Sequence, residues 1–187
     1  MTIFGWLKRN HARHNGALLE WRARWAAAIE TAHPSSTTDD HLRRQLDELG
    51  ATEPDLEIER EMLDALEALR RAQPDLAGGS LPIVETRHRV IGQDACHFTA
   101  PASLPSDQSQ PAGRVLLTGA RAVFVGGGRT SATPWHAVRT IVRRERDVLL
   151  VRTAESAAAH FRFNTYADAV LCALLARHLA EPARSKR

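Results

Sequence analysis

The chain has 187 residues, 43% of them hydrophobic and 25% charged, with a formal net charge of +3 and a mean hydropathy of -0.32. That length suits one domain with an accessory segment or two small domains, and that composition supports a packed core in a soluble protein. Two cysteines exclude a dense disulfide scaffold, and no apolar run reaches the ~18 to 20 residues that a membrane-spanning helix needs.

The net charge hides three blocks. Residues 1–30 carry +3, residues 31–79 carry -7 and residues 80–187 carry +7, so each region is expected to meet different partners or contacts. Of the 25 basic residues, 23 are Arg. At the start, Lys8, Arg9 and Arg13 have no apolar run behind them, so no secretory leader is expected and the chain reads as cytoplasmic. The segment Ile3-Phe4-Gly5-Trp6-Leu7-Lys8-Arg9 mixes bulky apolar and cationic residues as interfacial anchors do. Phe4, Trp6, Lys8 and Arg9 are therefore candidate membrane contacts, against the alternatives that Trp6 docks on the helical layer or that the segment is disordered. His11 and His14 have helical spacing, but no third ligand joins them, and no metal site is expected.

Helical periodicity follows. Leu18, Trp21, Trp25 and Ile29 recur at three and four, predicting a helix over about 17–32, with self-association through its Trp21/Trp25 face as one option. A second helix is expected from Thr38 to Leu49, with Leu42, Leu46 and Leu49 in register and Gly50 at its end. Thr52 and Asp55 resemble a capping box for a third helix that turns Ile58, Met62, Leu66 and Leu69 inward and closes at Pro74. Its acids, Asp55, Glu57, Glu59, Glu61, Asp64 and Glu67, read as a solvated face. They also make DNA binding through a helix-turn-helix unfavourable, because phosphate would be repelled. The domain boundaries expected are a helical segment over 1–76, a Gly-rich linker over 77–80, a second domain over 81–182 and a basic tail over 183–187.

After Ser80 the period becomes two. Strands are predicted over 83–91, 95–99, 114–118, 122–125, 129–133, 137–143, 148–152 and 160–163, separated by short turns. One Pro/Ser/Gln-rich loop, residues 100–112, interrupts them, and it lacks Lys and Arg. A final helix begins at Asn164 or Thr165 and buries Val170, Leu171, Leu174, Leu175 and Leu179, with Cys172 as a small core residue. The fold class predicted is α+β.

Within this half, Gly113-Arg-Val115-Leu-Leu117-Thr118-Gly-Ala-Arg121-Ala-Val123-Phe124-Val-Gly126 resembles the paired strands of bacterial PH-like and GRAM-like domains. Pro134 followed by Val138 and Ile141 resembles that family's next segment, and Phe161-x-Phe163 with the final helix resembles its close. The resemblance covers about residues 81–180; no family is placed on residues 1–80. It implies an antiparallel β-barrel capped by a C-terminal helix, acting as a binding module for lipid head groups, peptides or proteins. Val115, Leu117, Val123 and Val125, or their alternates, are then expected to fill the barrel, with Thr118 and Arg121 fixing the turn.

Many PH domains are implied to bind phosphoinositides with basic side chains around their first loop. Here that loop holds Asp107 and no basic residue. Arg139, Arg143, Arg144 and Arg146 form a different cluster, read either as anion or lipid contacts or as charges that guard a solvated edge. Gly126-Gly127-Gly128-Arg129 precedes a strand, so no helix N-terminus stands ready to hold phosphate. Cys96 and His97 point to opposite faces of a strand and form no dyad. No catalytic constellation, cofactor site or metal site is found. The expected function is non-enzymatic binding or scaffolding through protein–protein contact, with a peptide groove between the final helix and the strand near residues 137–143. The alternative is peripheral association with an anionic membrane through the N-terminus and the Arg cluster. No nucleic-acid partner is expected.

Overall fold

The computed structural model describes residues 3–31, 35–50, 55–86, 88–153 and 156–184, with side chains from residue 16 onward apart from 153–158 and 182–184. The chain divides into two compact units, Met1–Arg71 and Ala72–Arg187. The architecture is α+β, with helices α1 (Ile3–Glu30), α2 (Ser36–Gly50), α3 (Glu57–Ala77) and α4 (Tyr166–Arg184) and a seven-stranded antiparallel sheet. None of the described helices is long and apolar enough to cross a membrane.

The helical unit is organised by two indoles one turn apart. Trp21 and Trp25 are 1% and 2% exposed. Trp21 Nε1 donates to the Leu42 carbonyl of α2 at 2.9 Å, and Trp25 Nε1 donates to the Met62 carbonyl of α3 at 2.6 Å. Each ring thus buries a large apolar surface and satisfies its one donor on a different helix. Both rings are therefore covered within the helical unit, by α2 and α3. Ser35 caps α2, its Oγ accepting from the Thr38 N–H at 3.2 Å, while residues 51–54, including Thr52 of the expected capping box, lie outside the described residues.

Two sequence expectations for α3 fail. Ile58 is 46% exposed, whereas Leu56, Glu59, Met62, Leu66 and Leu69 are buried. Met62, Leu66 and Leu69 face inward as expected, but Ile58 does not, and Glu59, expected on a solvated face, takes the inward place beside it. Arg22 of α1 accompanies it, Nε at 2.8 Å and Nη2 at 2.5 Å from Glu59 Oε1. Nor does α3 close at Pro74, which lies within the helix. The helix ends instead at Gly79, whose φ of 76° suits glycine. Ser80 N–H donates to the Asp75 carbonyl at 2.8 Å and Gly79 N–H to the Leu76 carbonyl at 3.0 Å, the paired bonds of a Schellman end. Burial of Leu76 in the core of the second unit offsets the hydrogen bond lost at Pro74.

The sheet comprises β1 (Cys96–Ser103), β2 (Ala112–Thr118), β3 (Arg121–Gly126), β4 (Arg129–Pro134), β5 (Thr140–Arg144), β6 (Asp147–Thr153) and β7 (Ser156–Phe163). Its strand order is β4-β3-β2-β1-β7-β6-β5, and among the described residues no pairing joins β4 to β5. Of residues 83–91, expected as a strand, 83–86 and 88–91 are described; they form no strand but a strap that ends in a 3-10 turn at Arg89–Ile91. The alternation that suggested a strand has another use. Ile91, Val84 and Val90 cover Leu116 of β2, Val123 of β3 and Cys96 at the start of β1 on the outer face of the sheet. The strap is anchored by the Val84 N–H donating to the Cys96 carbonyl at 2.8 Å and by Asp94 to Arg121 at 3.4 Å.

The inner face of the same hairpin carries Val115, Leu117, Ala122 and Phe124. Val123 and Val125, expected inside, belong to the outer cluster, because β3 presents its even-numbered residues inward. Phe124 stacks on Phe161 at 6.4 Å between centroids, and Phe98 meets Phe163 edge-on at 6.1 Å. Thr118, fully buried, holds the β2–β3 turn: its Oγ1 donates to the Arg121 carbonyl and accepts from the N–H groups of Ala120 and Arg121. Trp135, 1% exposed, donates from Nε1 to the Thr118 carbonyl at 2.7 Å. Trp135→Phe keeps a ring in this place and removes that donor. It is expected to lower stability by about 1 to 2 kcal/mol, read as an earlier urea midpoint by circular dichroism.

The loop expected over 100–112 is shorter, because β1 continues to Ser103. Pro101 is tolerated there since β1 pairs with β7 only at Ala102 and Ser103. In the same way β7 begins at Ser156 rather than His160, and β5 at Thr140 rather than Ala137, which belongs to a 3-10 turn. Thr165 is the cap of α4, its Oγ1 accepting from the Asp168 N–H at 3.1 Å. Val170, Leu175 and Leu179 of α4 are buried as expected, Leu171 and Leu174 are only half-buried, and Ala169, Cys172, Ala173, Ala176 and Ala180 complete the inward side. Small side chains on that side let the helix approach the sheet closely.

Candidate functional site

β5 is one end of the strand order, and α4 packs against it. An end strand pairs on one side only, so its other side offers backbone groups to a partner chain. The hydrogen-bond ladder to β6 fixes its register: Thr140 opposes Val151, Val142 opposes Leu149 and Arg144 opposes Asp147. Ile141 is buried inward, while Thr140 and Arg144 are exposed. A two-residue turn, Glu145-Arg146, joins β5 to β6, with Glu145 at φ 51°.

The fold brings the four sequence-predicted arginines to this end of the sheet. Arg139 lies just before β5 and is exposed; its backbone N–H donates to the Val151 carbonyl at 2.8 Å. Arg143 Nη1 donates to the Glu145 carbonyl at 3.2 Å, and Arg144 extends into solvent. Arg146 is half-buried, its guanidinium 5.0 Å from the centre of the Tyr166 ring at the start of α4. A cation over an aromatic face is held there, so Arg146 braces the hairpin against the helix. Arg139 and Arg144 are thus the two members of the cluster that extend into solvent, while Arg143 and Arg146 hold the turn. The other candidates, Phe4, Trp6, Lys8 and Arg9, lie on the helical backbone of α1, and their side chains fall outside the described residues.

Next to the cluster lies a polar chain that the sequence reading missed. On the outer face of β6 and β7, Arg162 donates to both carboxylate oxygens of Asp147 at 2.8 Å, and His160 Nε2 stands 3.4 Å from Asp147 Oδ1. His160 Nδ1 is 2.9 Å from Ser106 Oγ in the β1–β2 loop. Only the strand register places these together, through the Asp147–Arg162 and Leu149–His160 pairs. A hydroxyl, an imidazole and a carboxylate in line suggest a nucleophile, but the carboxylate is already bound by the guanidinium fork. The chain ties the β1–β2 loop to the ladder. Arg129 ties the same loop from the other end, reaching Asp107 at 3.1 Å, so the first loop's only acid is engaged by a base from β4.

The Arg162 fork, more than its charge alone, holds the Asp147 carboxyl below the usual carboxylate range, against the opposing effect of burial. A depressed folded pKa contributes stability that is complete above the ordinary carboxylate value and is lost as pH falls through the folded value. Arg162→Gln removes the fork. The stability gap between wild type and this variant is therefore expected to be widest near neutrality and to narrow in acid, as urea midpoints across a pH series will report.

A shallow pocket of 360 Å³ lies under the strap, lined in part by Ile83, His88, Arg89 and Cys96. Burial raises the Cys96 thiol and, far more, the Cys172 thiol, so neither is a ready nucleophile. Among the described residues no group of three His, Cys, Asp or Glu side chains is placed to hold a metal ion. No protein-family model matches the chain, and no curated protein matches it either.

Proposed function

We propose that the chain is a non-enzymatic binding or scaffolding module of PH-like type, cytoplasmic, whose main activity is contact with another protein. One observation carries this reading: β5 ends the strand order beside α4 and leaves a sheet edge next to a helix, where an extended segment can add as a further strand. The PH-like assignment is supported by the uninterrupted antiparallel order, by the final helix packed on the sheet, and by the glycines that bound the β2–β3 hairpin. A specific observation favours a second reading, peripheral association with anionic lipid: Arg139 and Arg144 are both exposed at one end of the sheet.

Two parallel assays on the full chain separate the readings. In the first, a displayed library of extended peptides is selected on the wild type and on Arg139→Glu/Arg144→Glu. In the second, the protein is sedimented with neutral and with anionic liposomes at low and near-physiological salt. Peptides that bind in the absence of lipid, with no liposome retention, support the protein-binding module. Salt-sensitive retention by anionic liposomes alone, lost in the double variant, sinks it in favour of the membrane reading.

A further inference from the structure

The two ends of the sheet meet solvent differently. β5 is flanked by Arg139, Arg143, Arg144 and Arg146, so a second copy laid along it would bring like charges together. The middle of β4 carries no such protection: Thr130, Ser131 and Ala132 are uncharged and exposed, and the strand's proline, Pro134, stands at its far end. Side chains alternate between faces, so three consecutive exposed positions leave both faces of this stretch in solvent.

The turn fixes which backbone groups the outer rim presents. β3 and β4 join through Gly127-Gly128, with φ of 58° and 71°, the pattern of a two-residue turn that continues the twist of the strands. Gly126 and Arg129 therefore form the hydrogen-bonded pair that closes the hairpin, and bonding alternates from there. Ser131 and Thr133 direct their N–H and C=O toward β3. Thr130 and Ala132 direct theirs away.

We propose that this rim is a self-pairing surface on which the β4 strands of two copies align antiparallel about a two-fold axis through Ser131. Thr130 of each copy exchanges both hydrogen bonds with Ala132 of the other, so the contact is self-complementary and joins the two sheets into one. Ser131 meets its own counterpart in the close, non-hydrogen-bonded position. Arg129, held by Asp107, falls opposite Thr133 rather than opposite a second Arg129. No like charges meet along this edge, which is what distinguishes it from β5.

The test is sedimentation equilibrium of the full chain over a concentration series. Wild type is expected to approach twice the mass of a single chain at the upper end. Ser131→Arg, which sets two guanidinium groups across the axis, is expected to keep the single-chain mass. Ala132→Pro is expected to do the same, because it removes an outward N–H and leaves the pairing with β3 intact. Ser131→Cys supplies an independent readout: the non-hydrogen-bonded position sets the two Cα atoms about 4.5 Å apart, within reach of a disulfide, and the native Cys96 and Cys172 are buried. Mild oxidation is then expected to give a covalent dimer. A single-chain mass at every wild-type concentration with no cross-linked Ser131→Cys overturns the proposal. So does a dimer that Ser131→Arg leaves intact, whether or not Ala132→Pro folds.

Discussion

Gly126→Ala is expected to cost about 3 kcal/mol or more, enough to unfold much of the sheet unit at moderate urea. Gly113 and Gly126 oppose one another across β2 and β3, and the end of the Phe124 ring lies over both. A Cβ added at Gly126 would stand 2.5 Å from the Ala112 carbonyl oxygen and 2.7 Å from Gly113 Cα. These are backbone atoms in a paired strand, and they cannot swing aside as a side chain can. Gly113→Ala is expected to be no milder, with the Val125 carbonyl oxygen as the obstacle. The contrast is Gly16→Ala inside α1, where nothing stands within 4 Å and a glycine only weakens the helix. That change is expected to stabilise by up to about 1 kcal/mol. Urea midpoints of the three variants check both signs, and a Gly126→Ala protein as stable as wild type would refute the steric account.

The second large effect is expected at Arg22. Glu59 is 1% exposed, and Arg22 supplies the hydrogen bonds that make a carboxylate tolerable there. Arg22→Ala leaves that carboxylate buried without its cation. Breaking a fully buried pair costs about 3 to 5 kcal/mol; the Arg22 side chain is 43% exposed, which places the loss toward the lower end. The sign of the double change is the sharper test. Arg22→Leu/Glu59→Leu removes both charges and fills the site with apolar volume, so it is expected to be more stable than Arg22→Ala. A double variant as unstable as, or less stable than, the single one would show that packing, rather than the stranded charge, governs the site.

Periodicity made the helical faces legible wherever the inward residues were all apolar, as at Trp21, Trp25, Leu42 and Leu46. At α3 it placed Met62, Leu66 and Leu69 but misled at the first turn, because Glu59 occupies an inward position that any hydropathy pattern assigns to solvent, while the apolar Ile58 beside it is exposed. Pro74 misled for a related reason. A rule about one lost hydrogen bond cannot see the burial of Leu76 two residues on, nor the Schellman end at Gly79. In the sheet, the glycines of the hairpin were legible as punctuation, but their shared reason, an aromatic ring laid across two facing strands, exists only once the strands pair. The strap over 83–91 shows the converse: its apolar alternation is real, yet it serves to cover a sheet and not to extend one. Of the candidate site, the arginine cluster and its strand could be located from sequence. Which arginines extend into solvent could not, since Arg146 is drawn onto Tyr166 by a contact 20 residues along the chain. The line from Ser106 to His160 and Asp147 spans three elements and depends on register, which single-sequence spacing does not encode.

The strap also covers strands that would otherwise be open to pairing with a neighbouring molecule. β2 and β3 contain Val115-Leu116-Leu117 and Ala122-Val123-Phe124-Val125, stretches rich in β-branched and large apolar residues, without an internal charge or proline. While the strap is in place, Leu116 and Val123 are sealed on the outer face as thoroughly as Val115 and Phe124 are on the inner one. A protease cut at the exposed Ile83, or local lifting of Val84, Val90 and Ile91, would uncover that outer face. The first aggregates to form on storage should therefore be built from nearly native molecules, and a reagent that clips the strap should seed them faster than one that unfolds the chain.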